Sequence, residues 1–243
     1  MENTTGKIMT VLSGKGGTGA SACAVNLATV YALEGKKTLL IDLHTGSRAL
    51  DLFLGVQDEA LYHFGDVTGG LCSLQEAVVP VPGVPGLALL AGCQESGAAD
   101  PEQIRKLAEE CRTLYDRVIL DAGNGWTAES EACAAVSGLV LLVTTPDAAA
   151  LRGTEALEDR LIRGKIRKQR YLVNRVIPAL VFKGIEPEVQ EIDSRIRCGM
   201  AGMILDDENI RASMSAGVPI VTKRDSYIAG NFRRIAERLD TSY

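Results

Sequence analysis

The chain has 243 residues, about one and a half times the ~150 typical of a domain, so one large α/β domain or two small ones both fit. Apolar residues make up 46% and charged residues 23%, which excludes a disordered or fibrous chain. Twenty-six basic against thirty-one acidic residues leave a net charge of −5, with no global pull toward nucleic acid or anionic membrane. In chain order, residues 8–12 form an apolar run expected as a strand, 21–34 a helix and 38–41 a second strand. Pro80-Val-Pro-Gly-Val-Pro-Gly reads as a turn-rich surface connection ahead of a strand at Leu87–Leu90. Asp100 as N-cap and Pro101 at the first helical position open a helix over Pro101–Leu114. Strands at 117–120, Leu139–Thr144 and 171–173 then alternate with helices at 127–136 and 147–163. A short strand from Met203 and a helix at 207–216 follow. The last helix, 226–239, carries Ile228, Phe232, Ile235 and Leu239 on one face, a core stripe. Near-continuous apolar strands separated by helices imply βαβ units. The expected fold is α/β, a doubly wound, mostly parallel sheet with helices on both faces, in one domain spanning residues 1–243.

Val11-Leu-Ser-Gly-Lys-Gly-Gly-Thr-Gly-Ala-Ser-Ala follows the first strand and opens the first helix, the context a phosphate-binding loop requires. Gly14, Gly16, Gly17 and Gly19 permit positive φ and close backbone approach, so successive N–H groups can point at phosphate oxygens. Against G-x-x-x-x-G-K-[ST], Gly14, Gly19 and Ser21 match, and Ala20 stands at the lysine position. Asp42 and Asp121 both fall at strand carboxyl ends, where open α/β sheets bind ligands. Ser21 suits either a Mg²⁺ ligand or a cap for the helix's first turn.

The surrounding text carries a resemblance. Lys15-Gly-Gly-Thr-Gly, Ala24-Val-Asn-Leu-Ala and Glu34-Gly-Lys-Lys-Thr-Leu-Leu-Ile-Asp, with Gly46-Ser-Arg-Ala-Leu-Asp-Leu-Phe-Leu-Gly, resemble the MinD/ParA family of deviant Walker ATPases. So do Val118-Ile-Leu-Asp121 as a Walker B strand, Val173-Asn-Arg, Ile204-Leu-Asp-Asp and Ala216-Gly-Val-Pro-Ile-Val, which takes the resemblance across nearly the whole chain. It implies ATP and Mg²⁺ at the carboxyl ends of the strands and a face-to-face homodimer driven by ATP. Residues from Gly14 through Lys15, Gly16, Gly17, Thr18, Gly19, Ala20 and Ser21 to Ala22 would cradle phosphate, with Gly125 in the switch after Walker B. Asn174 and Arg175 would lie at the base, and Ser21, Asp42 and Asp121 at the metal. Lys15 stands at the family's own lysine, which reaches the partner's phosphates; alternatively it turns inward to supply the missing charge in its own subunit.

Three departures from the family pattern bear on catalysis. Ala20 removes the point charge that a P-loop places on the β/γ-phosphates. Ile41-Asp-Leu-His44 puts a histidine where the family has a water-positioning carboxylate, with different reach and charge. Asp121-Ala-Gly-Asn-Gly replaces Asp-x-Pro-Ala-Gly, keeping Asp121 and Gly125. The expectation is a positioning protein that binds ATP and hydrolyses it slowly or not at all; the alternative is a non-catalytic dimeric scaffold that recruits a protein partner without nucleotide.

Between Arg160 and Arg175 lie seven basic residues and no acid, a possible phosphate-binding surface for DNA or lipid that reads more simply as a helix C-terminus plus a solvated loop. The last residues, Leu239-Asp-Thr-Ser-Tyr243, lack the basic amphipathic helix usual in MinD proteins, so membrane contact is expected only through a partner. No apolar run nears the ~20 residues of a membrane span, and the first eight residues show no signal peptide, so a cytoplasmic location is expected. Six scattered cysteines without a C-x-x-C pair read as reduced, mostly packed thiols.

Overall fold

In the computed structural model, which describes residues 6–44, 48–93, 100–223 and 225–243, the apolar runs become strands whose side chains alternate between two helical layers. Gly46 and Ser47, part of the family resemblance, lie outside the described residues, as do residues 1–5 of the amino-terminal segment. The first half of the described chain runs β1 (Lys7–Ser13), α1 (Ala20–Leu33), β2 (Thr38–Asp42), α2 (Leu50–Leu54), α3 (Phe64–Thr68), α4 (Leu74–Ala77), β3 (Val79–Pro80), β4 (Leu87–Leu90) and α5 (Pro101–Leu114). It continues with β5 (Arg117–Asn124), α6 (Ala128–Val136), β6 (Leu139–Thr144), α7 (Ala148–Arg163), β7 (Gln169–Val176), α8 (Pro178–Phe182) and α9 (Val189–Arg195). Then come β8 (Gly199–Leu205), α10 (Glu208–Ser215), a 3₁₀ turn at Ile220–Thr222 and α11 (Tyr227–Asp240).

The strands form one sheet in the order β3-β4-β2-β5-β1-β6-β7-β8, parallel except for the β3–β4 pair. In β1, Ile8 and Leu12 face one layer and Met9 and Val11 the other; in β6, Val140 and Leu142 oppose Leu139, Leu141 and Val143 in the same way. This period-2 division at every position is why the strands read as unbroken apolar runs. Helix α1 is buried nearly all round, which explains its lack of an amphipathic pattern. It is covered by α11, whose predicted stripe of Ile228, Phe232, Ile235 and Leu239 is buried as expected. Helices α5, α6 and α7 cover the other face.

The Pro80–Gly86 segment is turn-rich as expected, except that its first residue belongs to a strand: Val79 and Pro80 pair antiparallel with Leu89 and Ala88 before the chain turns into β4. Proline is tolerated there because β3 is an edge strand. The basic run is, as expected, a helix C-terminus followed by an exposed loop, and only Arg175 stands apart from it. Arg160, Arg163, Lys165, Arg167 and Lys168 are exposed around the end of α7, whereas strand β7 carries the chain across the sheet and delivers Arg175 to the opposite, glycine-loop end. Among the described residues, no helix is long and apolar enough to cross a membrane.

Chain direction locates the cleft. β1 leads into α1 on one face, while its neighbours β5 and β6 lead into α6 and α7 on the other. The carboxyl end of β1 is therefore a topological switch point, where the two connections diverge and leave a crevice. Because Phe232 of α11 is fully buried in the core layer that α11 shares with α1, Phe232→Ala is expected to lower stability by about 3–5 kcal/mol. A reduced urea midpoint with unchanged slope would register the loss.

Candidate functional site

The β1–α1 loop takes its shape from glycines with distinct jobs. Gly17 and Gly19 both have φ of +83°, a conformation that penalises any side chain. Gly14 lies flat against α7: a Cβ on it would come within 2.1 Å of the Gly153 carbonyl carbon, and one on Gly153 within 2.5 Å of the Gly14 oxygen. On the other side, the Asn174 amide donates to the Thr18 carbonyl at 2.7 Å and fills the space a Cβ at Gly19 would need. The Ser13 hydroxyl donates to the Lys15 carbonyl at 3.0 Å, and the Gly125 N–H donates to the Ser13 carbonyl at 2.9 Å.

The N-cap of α1 is Gly19 in the left-handed conformation, with no side chain capping it and no acidic residue in the first turn. The reading of Ser21 as a helix cap is therefore corrected: it sits inside the first turn, beside Asp121. The helix start offers uncapped N–H groups and the positive end of its dipole to an anion. Ala20, at the lysine position, is buried and brings no charge.

Strand register sets Asp42 directly beside Asp121 on adjacent strands. Both are buried, and their surroundings differ. Asp42 accepts N–H groups from His44 at 3.0 Å, Ala49 at 3.3 Å and Leu50 at 3.4 Å, which wrap the chain after β2 around its carboxylate. Burial still raises its pKa against those donors. Both oxygens of Asp121 are buried with no hydrogen-bond partner. Burial pushes its pKa up to about 7, opposed by the Ser21 hydroxyl and reinforced by the Asp42 charge. The Ser21 hydroxyl and the Gly123 N–H bias the group without satisfying either oxygen. A buried carboxylate without a partner is costly and is what a cation would relieve. Among the described residues no three His, Cys, Asp or Glu side chains converge as a metal cage. That suits Mg²⁺, which keeps waters and needs only one or two carboxylates alongside phosphate oxygens. Ser21, Asp42 and Asp121 fit that ion.

Lys15 points toward its own α7: its Nζ lies 3.0 Å from Asp147 Oδ1, with the two side chains 47% and 45% exposed. Asp147 is the N-cap of α7 and accepts the Ala150 N–H at 3.0 Å. Burial raises the Asp147 pKa, but the Thr145 hydroxyl, Lys15 and the Ala150 N–H together outweigh it and hold the group at about 2. Such an exposed pair contributes at most about 1 kcal/mol and is readily exchanged. Arg175, itself at φ +58°, pairs with Asp206 at 3.2 Å and reaches the Gly17 carbonyl at 3.4 Å. Asn174 and Arg175 share a cleft of about 230 Å³ with apolar walls from Phe53, Ile210 and Met214. The His44 ring lies over Gly123, where a Cβ would approach it to 3.3 Å, at the mouth of the phosphate loop.

Many of the expected residues line two adjoining clefts: Gly16, Gly17, Thr18, Gly19, Ala20, Ser21, Ala22 and His44 line one, Asn174 and Arg175 the other, and Gly17, Gly19 and Ala22 belong to both; Gly14, Lys15, Asp42, Asp121 and Gly125 line neither. Sequence reasoning missed Asp147 and Gly153. The Thr-Pro-Asp after β6 marks a strand carboxyl end with an N-cap, the one local signal that could have drawn attention to Asp147.

The family described as the CobQ/CobB/MinD/ParA nucleotide binding domain matches residues 9–220. The septum site-determining protein MinD of Synechocystis sp. is 32% identical over 237 residues, covering 96% of this chain and 89% of that protein. The chain is also similar to a chain of the MinC:MinD cell division protein complex of Aquifex aeolicus, with a TM-score of 0.90 and 26% identity over 97% of this chain and 96% of that one. The Pyrococcus horikoshii MinD complexed with Mg-ADP shares the fold, at a TM-score of 0.86 and 23% identity over 96% of each chain. A glycine loop at the switch point, paired strand-end carboxylates and a match along most of the sequence lead to one assignment: the chain belongs to the MinD/ParA family of P-loop nucleotide-binding proteins.

Proposed function

We infer that the protein binds Mg-ATP in the cleft at the end of β1 and acts as a spatial-positioning protein, at the division site or in partitioning, with hydrolysis held low by Ala20 and His44. One observation carries this reading: an uncapped, glycine-shaped helix start sits beside Asp121, a buried carboxylate with no partner. The N–H groups of residues 16–21 would bind phosphate oxygens, and Ser21 and Asp121 would hold Mg²⁺, with Asp42 beside them. Bound there, Mg²⁺ would neutralise phosphate charge. Asn174 and Arg175 would flank the base against Phe53, Ile210 and Met214. The Mg-ADP of the P. horikoshii protein belongs to the same ligand class.

Lys15, held by Asp147 in its own chain, would exchange that partner for phosphate when a second copy docks face to face. The MinC bound to the Aquifex MinD makes a further protein partner the expected cargo or regulator. Catalysis lacks two charges. Ala20 supplies none to the transferred phosphoryl group, and the imidazole of His44 stands where a carboxylate would orient the attacking water.

Calorimetric titration with Mg-ATP tests the binding step: saturable heat is expected, and none at millimolar ligand would favour the nucleotide-free scaffold. The double variant Ala20→Lys, His44→Asp is expected to raise steady-state phosphate release at least tenfold, about 1.4 kcal/mol of barrier or more. An additional Lys15→Ala change should abolish the gain.

The Asp121 carboxyl supplies a test independent of turnover. Its pKa rises from 3.8 to about 7 on folding, so between those values the folded chain binds more protons than the unfolded chain. Its contribution to stability is full below 3.8 and is lost as pH rises through about 7. Asp121→Asn removes that decline. Above pH 7 the ligand-free variant should unfold at higher urea than the parent, by on the order of 1–4 kcal/mol, with the difference vanishing in acid.

A further inference from the structure

Six cysteines are spread along the chain, and the fold places them unequally. Cys23, Cys111 and Cys133 are buried in the two core layers. Burial pushes the thiols of Cys23 and Cys111 up to about 12 and that of Cys133 higher still. Cys198 is raised to about 12 by burial and by the adjacent Glu158 carboxylate, and Cys72 is raised by desolvation and then by Asp66 and Glu76. Thiols so placed stay protonated near neutrality and are poor nucleophiles.

Cys93 has different company. It is half-buried just beyond β4, and its Sγ lies 3.8 Å from His63 Nε2. On the far side of the ring, Nδ1 is 3.2 Å from Asp66 Oδ2, the oxygen that also accepts the His63 main-chain N–H at 2.9 Å. Nδ1 has no well-aligned hydrogen-bond partner, and the negative charge of the carboxylate 3.2 Å away favours a proton on that nitrogen, which leaves the Nε2 lone pair facing the sulfur. The arrangement is held by the main chain: the Phe64 N–H donates to the Ala91 carbonyl at 2.8 Å, tying the start of α3 to the strand end two residues before the thiol. Gly65 leaves the room, since a Cβ there would come within 3.3 Å of the ring and 3.7 Å of the sulfur. Thiol, imidazole and carboxylate therefore stand in sequence, drawn from two elements thirty residues apart.

We propose that Cys93 is a nucleophilic thiol with His63 as its base, and that it is a site of mixed-disulfide formation with low-molecular-weight disulfides. His63 Nε2 takes the thiol proton, and the Cys93 sulfur attacks one sulfur of R–S–S–R. The new Cys93 S–S bond forms as the old one breaks, and the departing thiolate leaves as R–SH with the proton from His63. The disulfide is transferred with no net gain or loss of electrons. Gly92, the preceding residue, packs on Asp42, where a Cβ would fall 2.9 Å from the carboxyl carbon, so an adduct is carried next to the nucleotide cleft.

The test exposes the whole chain to limiting glutathione disulfide at neutral pH and follows each cysteine by peptide mass mapping. Cys93 is expected to form its adduct about tenfold or more faster than Cys72, because a base stands 3.8 Å from its sulfur to take the proton while Cys72 faces the Asp66 and Glu76 carboxylates. His63→Gln, which keeps a polar side chain without a base, should slow Cys93 about tenfold and leave Cys72 unchanged. Equal rates at Cys93 and Cys72 in the parent chain, or an unchanged Cys93 rate in His63→Gln, would overturn the proposal. Should His63→Gln fail to fold by circular dichroism, Asp66→Asn replaces it: a slowed Cys93 supports the relay and an unchanged one overturns it.

Discussion

The contact between Gly14 and Gly153 organises the site. With no side chain on either residue, the backbone of the phosphate loop rests directly on the backbone of α7. Any larger residue at either position would force loop and helix apart, because each Cβ would lie well inside contact distance of main-chain atoms. Once loop and helix are joined, the next residue, Lys15, falls beside the N-cap of α7 and finds Asp147. On the opposite flank the Asn174 amide grips Thr18 over the bare Gly19, so the loop is clasped between α7 and β7 before any ligand arrives.

Within that clasp the charged groups divide into satisfied and unsatisfied. Asp42 spends its oxygens on three N–H groups and so shapes the chain after β2. Asp121, one strand away, has both oxygens buried and unpaired. Folding tolerates this because the sheet around it is well packed, and under the proposed function a bound cation would recover the cost. The Lys15–Asp147 pair is cheap by comparison: half-exposed, it holds the lysine in register without trapping it. A ligand-ready site is thus built from a costly vacancy in hydrogen bonding and a weak latch, both set on a stiff sheet.

Most of the larger elements were legible in the sequence, because each carries its own signal. Period-2 burial in β1 and β6, the Asp100–Pro101 start of α5 and the stripe of α11 all follow from local pattern, and the structure places them within a residue or two of expectation, apart from strands β5, β7 and β8, which run longer. The short helices α2, α3, α4, α8 and α9 were not legible. Each has four to seven residues, too few for a periodic signal, and several depend on reciprocal caps such as Ser73 with Glu76. The two-residue β3 was hidden by Pro80, which the edge position excuses.

The sequence by itself determined the glycine spacing, the strand-end carboxylates and the substitutions at Ala20 and His44, since backbone conformation and side-chain chemistry are local properties. Only the tertiary structure decided which groups meet. Lys15 and Asp147 are 132 positions apart, Gly14 and Gly153 are brought together by α7 crossing the sheet, and Cys93 joins His63 across two short helices and two strands. It also separated Arg175 from the basic run that precedes it, because a strand of eight residues carries its ends to opposite edges of the sheet. Strand order and the packing of nearly featureless backbone surfaces set these contacts, and neither leaves a periodic trace in one sequence.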